Sequence, residues 1–210
     1  IAGLLPEARG QVCLGTMSQR LAEPKALAAW QRRIGMAFQN DALFDDMSVF
    51  DNLAFPLRRR GFSEAEVTVR VQELLAKVGL TECGPLSPQA LSGGMRKRVG
   101  IARAVGVQPE LALFDEPLAG LDPLSAQRIV SLIVELTHTL GVPALLVSND
   151  LPVVLPVATR VLLLRAGRVL YDGVPGGLAS APSAYVRAFV TGSEPPEEDD
   201  IVEGASANRH

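Results

Sequence analysis

Two cysteines, Cys13 and Cys83, are all the thiol chemistry in this chain, and neither belongs to a CxxC pair. The only histidines, His138 and His210, lie near neither of them in sequence. A disulfide framework and a zinc site are therefore not expected, which suits a reducing compartment. Positive charge is not in excess: 20 Lys and Arg stand against 23 Asp and Glu, a formal net charge of -3. That balance lacks the basic footprint of a nucleic-acid binder, so no nucleic-acid partner is expected. Long apolar runs are also missing. No stretch reaches the roughly 18 to 20 residues that span a bilayer, and the first residues lack the charged start and cleavage pattern of a signal peptide. The expected location is the cytoplasm. The 210 residues contain no G-x-x-x-x-G-K-[ST] loop, the glycine-rich cradle for a nucleotide's phosphates. What is present is a 48% hydrophobic composition, enough for one well-packed domain with room for a smaller lobe.

The order of elements points to an α/β fold. "IAGLLPEARG" reads as the last turns of a helix stopped by Gly3 and Pro6, so the chain is expected to continue a longer polypeptide upstream. "RIGMAFQ", Arg33 to Gln39, reads as a short buried strand with Gln39 at its carboxyl end. A more irregular segment, "NDALFDDMSVFDNLAFPLRRRGF", follows. Ser63 and Glu66 have the spacing of a capping box, and Val67, Val71, Leu74, Leu75 and Val78 recur at helical spacing until Gly79. "LSGG" opens the next helix, through "MRKRVGIARAVGV". Leu111 to Phe114 is a continuous apolar run, the pattern of a strand buried on both faces of a parallel sheet. Asp122 and Pro123 then start a helix, as N-cap and first-turn residue, that runs to about Leu140. "VPALLVSND" is the next strand, and "RVLLLRAGRVLYDG" reads as two strands joined at Ala166 and Gly167. From Ser193 the chain turns acidic and proline-rich, as a disordered tail does.

Strands alternating with helices predict a mostly parallel sheet, whose ligands bind beyond the carboxyl ends of the strands. Gln39, Asp115, Glu116 and Asn149 are all expected at such ends. Asp115 and Glu116 could divide between them the holding of Mg²⁺ and the activation of a water, as phosphoryl transfer to water requires. Taken alone, an acid pair at a strand end before a proline is more often only a solvated turn. "SGGM" before a helix offers a hydroxyl, unhindered N–H groups and the positive end of a helix dipole, or simply a Ser cap with a glycine turn. Asp122 is explicable as a helix cap, a role that does not exclude another.

Taken in order, "LSGGM", "LFDEPLAGLDP" and the strand ending in "SND" resemble the ATP-binding cassette (ABC) family of ATPases across nearly the whole chain except the acidic tail. The resemblance implies a P-loop NTPase-like α/β core, with an inserted helical subdomain and ATP and Mg²⁺ as cofactors. It also implies roles: Gln39 contacting Mg²⁺ and the attacking water, Asp115 holding the metal, Glu116 as general base. Ser92, Gly93, Gly94 and Met95 match the signature motif, and Asp122 matches the aspartate that meets the partner subunit. The phosphate-cradling loop would belong upstream of Ile1, on the helix that "IAGL" continues. Two departures stand out. Asn149 occupies the place of the family's switch histidine, and an amide can hydrogen-bond a phosphate but cannot carry a proton. Met95 replaces the usual glutamine that closes the signature.

"NDALFDDMSVFDNLAFPLR" with "LSGGMRKR" is further similar to the ATPase subunits of Mla-type phospholipid transporters. That likeness implies a homodimer of ATPase subunits on a membrane permease, on the cytoplasmic side of the inner membrane, with small accessory and periplasmic lipid-binding subunits as further partners. Phe38, Phe44, Phe50 and Phe55 would pack that subdomain, and most of them would also face the permease. The expected division is a core remainder at 1–39, a helical subdomain at 40–104, the rest of the core at 105–192 and a tail at 193–210. The alternatives are a transporter ATPase for another substrate, a slow or non-hydrolysing regulatory subunit, and a soluble cassette ATPase of DNA repair or the ribosome. The last class usually carries coiled-coil or zinc insertions or a second cassette, none of which is visible here.

Overall fold

Three short parallel strands place the candidate residues, and the rest of the fold supports them. The structure is a computed structural model that describes residues 1–5, 10–15, 17–20 and 24–194. The acidic tail beyond Glu194 lies outside the described residues. Contacts divide the chain into two compact units, Ile1–Asn149 and Asp150–His210.

In the first unit, β1 (Gln11–Leu14) and β2 (Met17–Arg20) pair antiparallel, and α1 (Pro24–Gln31) precedes β3 (Ile34–Ala37). The sequence reading had none of β1, β2 and α1. Helices α2 (Val49–Arg59), α3 (Glu64–Lys77) and α4 (Gly93–Gly106) come next, followed by β4 (Leu111–Asp115), α5 (Pro123–Leu140) and β5 (Ala144–Val147). The sheet order is β3-β4-β5, all parallel, with Ala37 beside Phe114 and Asp115 beside Val147. Ala112, Leu113 and Phe114 of the central strand are buried, as an apolar strand covered on both faces should be.

Local chemistry explains the helix boundaries. In α3 the Ser63 hydroxyl accepts the Glu66 N–H, while the Glu66 carboxylate accepts the Ser63 N–H, closing the capping box. Asp122 caps α5 by accepting the N–H groups of Leu124 and Ser125, and Gly141, at φ 64°, ends that helix. The segment after Gln39, read from sequence as irregular, contains α2. Ser48 caps it, and Val49, Leu53 and Leu57 bury one stripe at a spacing of four, holding the helix together despite the hydrogen bond lost at Pro56. Residues 1–5 are not helical, although Gly3 has the left-handed φ of 69° that ends helices. So short a segment has too few hydrogen bonds to hold a helix by itself.

The second unit carries short helix α6 (Leu151–Val154), hairpin β6 (Val161–Arg165) and β7 (Arg168–Gly173), and α7 (Ala184–Thr191). Ala166 and Gly167 form its turn with φ of 47° and 74°, as the sequence reading required. Its core gathers Leu163, Leu178, Ala181 and Val186. No helix among the described residues is long and apolar enough to cross a membrane.

Candidate functional site

The carboxyl ends of β3, β4 and β5 each carry candidate residues. Asp115 is the last residue of β4 and Glu116 follows it, both half-buried. Gln39 lies two residues beyond β3, and Asn149 two beyond β5, both exposed. Because the three strands are hydrogen-bonded neighbours running the same way, these four residues share one edge of the sheet.

Glu116 has a feature the sequence does not display. Its φ is 45°, a left-handed conformation that non-glycine residues rarely adopt and that concentrates at functional sites. Its N–H donates to the Val147 carbonyl at 3.0 Å, and its carbonyl accepts from Ala119 N–H at 3.2 Å. The residue is thus pinned between β5 and the turn that leads to Asp122.

A second group forms at the starts of α4 and α5. Ser92 caps α4, its hydroxyl accepting the Met95 N–H at 3.3 Å, and Gly93 and Gly94 are the first helical residues. A cleft of about 730 Å³ is lined by Ser92, Gly94 and Met95 on one side and by Leu121, Leu124 and Ser125 on the other. Gln39, Asp115, Glu116 and Asn149 do not line this cleft, so the chain presents two groups of candidates in two places. Asp122, at the start of α5, is exposed. The Ser125 hydroxyl at 2.6 Å and the adjacent N–H groups hold its carboxyl below the usual range.

The donor set at the strand ends suits magnesium. Asp115 offers carboxylate oxygens and Gln39 its amide oxygen, and no group of three or more His, Cys, Asp or Glu able to hold a metal occurs among the described residues. Mg²⁺ takes one or two protein oxygens and completes its shell with water and substrate phosphate, so a sparse oxygen set fits it.

Sequence reasoning missed Lys97, Arg103, Asn52 and Asp41, which meet beneath Gln39. Lys97 is buried in α4, its ammonium 3.9 Å from the Asp41 carboxylate. Burial raises the Asp41 carboxyl above its usual range, against the lowering pull of Lys97, Arg96 and Arg103. Lys97 stands in the basic run Arg96-Lys97-Arg98, which reads as a solvated face, so the sequence carried no signal that the middle one of the three is buried. The nearby aromatics divide: Phe38 and Phe44 are 38% and 40% exposed, whereas Phe50 and Phe55 are half-buried. Phe44 and Phe55 meet edge to face, with centroids 5.2 Å apart.

A family model described as ABC transporter matches residues 1–119. The chain is 40% identical over 163 residues to the intermembrane phospholipid transport system ATP-binding protein MlaF of Escherichia coli (strain K12), covering 77% of this chain and 61% of that protein. It is 36% identical over 193 residues to the methionine import ATP-binding protein MetN of Xanthomonas euvesicatoria pv. vesicatoria (strain 85-10), covering 91% and 58%. The chain therefore spans about three-fifths of these curated relatives. Among solved structures, cbiO1 from Clostridium perfringens, described as part of the ABC transporter complex cbiONQ, superposes with a TM-score of 0.77 at 26% identity, over 89% of this chain and 74% of that one. With the family model covering more than half of its residues and the parallel α/β core in place, the chain belongs to the ABC transporter family, as part of one of its ATP-binding domains.

Proposed function

We propose that the whole protein hydrolyses ATP to drive phospholipid movement between membranes of the bacterial envelope. The observation that carries the ATPase reading is the placement of Gln39, Asp115, Glu116 and Asn149 at the carboxyl ends of three adjacent parallel strands. In this reading residues 1–39 and 105–192 belong to the ATPase core, and 40–104 form the helical subdomain that meets a membrane permease.

Each residue has a task that its chemistry supports. Asp115 and Gln39 hold Mg²⁺, which when bound neutralises charge on the phosphates. Glu116 accepts the proton of the attacking water, and its pinned backbone keeps the carboxylate from drifting. Gln39 orients that water through its amide. Asn149 donates a neutral hydrogen bond to a γ-phosphate oxygen. Ser92, Gly93, Gly94 and Met95 present a hydroxyl, backbone N–H groups and a helix N-terminus to the nucleotide of a second copy, because they stand apart from the strand-end group in their own chain. Asp122, exposed at the start of α5, meets that second copy.

Support for lipid as cargo comes from the 40% identity to MlaF and from the exposed Phe44 within the segment that resembles Mla-type ATPases. The partners in this reading are a second ATPase subunit, a permease at the inner membrane, and accessory and periplasmic lipid-binding subunits. Methionine import is the second reading, favoured by a match to MetN that covers more of the chain. Full-length protein purified with its permease and reconstituted in phospholipid vesicles separates the two. The proposal expects ATP-dependent transfer of labelled phospholipid to acceptor vesicles and no ATP-dependent methionine uptake. Methionine uptake without lipid transfer would replace the cargo, and absence of ATP turnover would remove the whole reading.

A further inference from the structure

We infer that Lys97 and Arg103 are positioning residues that lock the Gln39 loop onto α4; its consequence for turnover rests on the role proposed for Gln39 above. The loop is held in a conformation it would not keep alone. Asp41 and Ala42 are consecutive non-glycine residues with left-handed φ of 61° and 47°. The Asp41 N–H donates to Phe38 carbonyl at 2.9 Å, and the Ala42 N–H donates to Asn40 carbonyl at 2.6 Å, closing a tight three-residue turn. Such conformations persist only where the surroundings over-determine them.

Helix α4 supplies those surroundings. Among the described residues Lys97 is the only buried cation, and a buried ammonium needs partners. It donates to the Gln39 carbonyl at 3.4 Å and faces the Asp41 carboxylate at 3.9 Å, gripping the loop on both sides of residue 40. Further along the helix, Arg103 donates to the Asp41 carbonyl at 2.9 Å. Between them the helix passes the loop at Gly100, where a Cβ would make ordinary contact with Asp41 O, Cα and Cβ at 3.5 to 3.7 Å.

The grip extends outward. Arg103 also donates to the Asn52 Oδ1 at 3.4 Å and lies over the Phe44 ring at 5.7 Å. Asn52, fully buried, accepts the Phe44 N–H at 2.8 Å and donates to the carbonyls of Phe44, Met47 and Ser48. A continuous polar chain therefore joins the exposed Phe44 turn to Gln39 through Asn52, Arg103, Asp41 and Lys97. The helix at the centre of that chain begins at the Ser92 cap, so a shift of α4 would carry Gln39 and the signature residues together.

The test uses the full-length protein with Lys97→Met, which keeps the buried shape and removes the charge; a swap of this kind in a core is often tolerated. Hydrogen exchange of the amides at 39–43 should accelerate by about tenfold or more while those of α5 stay unchanged, and Lys97→Arg should restore much of the protection. Turnover of ATP should fall by about tenfold in kcat with little change in KM, and Lys97→Met should add nothing in a Gln39→Ala background, because both changes remove the same positioning. Arg103→Lys should give a weaker version of the same exchange pattern. Unchanged exchange at 39–43 in Lys97→Met overturns the inference, as does an equal further loss of turnover on top of Gln39→Ala. A parent protein without ATP turnover would defeat the proposed function, while the exchange measurement would still decide whether Lys97 holds the loop.

Discussion

Adding one methyl group at Gly35 should destabilise the fold more than its size suggests. A Cβ at this position would lie 1.9 Å from the Ala104 carbonyl oxygen, 2.9 Å from its carbon and 3.0 Å from Pro109 Cγ. The obstacle is the backbone of α4, so no change of rotamer relieves it. To restore ordinary contact, helix and strand must part by about 1.5 Å in a core that is packed as densely as a crystal. The strand cannot yield freely, because Gly35 is paired with Ala112 of the buried β4. Overpacking a core typically costs about 1–3 kcal/mol, and a clash with helix backbone belongs at the upper end, about 3 kcal/mol. With a urea dependence of about 1–3 kcal/mol per molar, Gly35→Ala should lower the unfolding midpoint by about 1 M or more. Fluorescence of Trp30, the sole tryptophan and fully buried, reports the transition. Gly94→Ala is the control, since a Cβ there meets nothing within 4 Å and alanine favours the helix, so the midpoint should hold or rise. A Gly35→Ala midpoint within about 0.2 M of the parent would refute the claim that this glycine sets the spacing of strand and helix.

Three further outcomes follow from the site. In the full-length protein, Asn149→His should raise ATP turnover on the order of tenfold by replacing a neutral hydrogen bond with a stronger, partly charged donor; phosphate release no faster than the parent would sink this. Ser92→Arg should abolish ATP-dependent dimerisation by filling the space meant for the partner's γ-phosphate, with the helical circular dichroism retained; a dimer that still forms with ATP would locate the signature elsewhere. Asp122 has a folded pKa held below the usual carboxylate range, chiefly by the Ser125 hydroxyl. Its contribution is present above about pH 4, where the unfolded carboxylate is ionised, and is lost as pH falls through the lower folded pKa. Asp122→Asn should therefore flatten the acid limb of a stability-against-pH curve, and an unaltered limb would contradict that.

Where a residue's environment was local, the sequence was legible. Ser63 with Glu66, Asp122 with Pro123, and the Ala166–Gly167 turn all fold as their chemistry demands, because caps and turns are decided within four residues. The apolar run of β4 announced its burial in the same way. Helix α2 was obscured by Pro56, although the spacing of Val49, Leu53 and Leu57 recorded it. Strands β1 and β2 are four residues each, too short for alternation to stand out. The left-handed backbone of Glu116 and the clamp of Lys97 and Arg103 on Asp41 could not be read at all, because each depends on contacts between segments distant in the chain. The strand-end positions of Gln39, Asp115, Glu116 and Asn149 lay between these cases. Strand pattern placed each residue at an end, and only the parallel pairing of β3, β4 and β5 put those ends side by side.

Single-site replacement of Glu116 in the full-length protein, with steady-state phosphate release and ATP retention measured together, tests the ATPase account most directly. Glu116→Gln keeps the shape of the side chain but removes the base. Turnover should fall by about 10²-fold or more while ATP remains bound and the dimer is trapped. A variant that releases phosphate within about a factor of two of the parent would take Glu116, and with it the proposed strand-end site, out of the reaction.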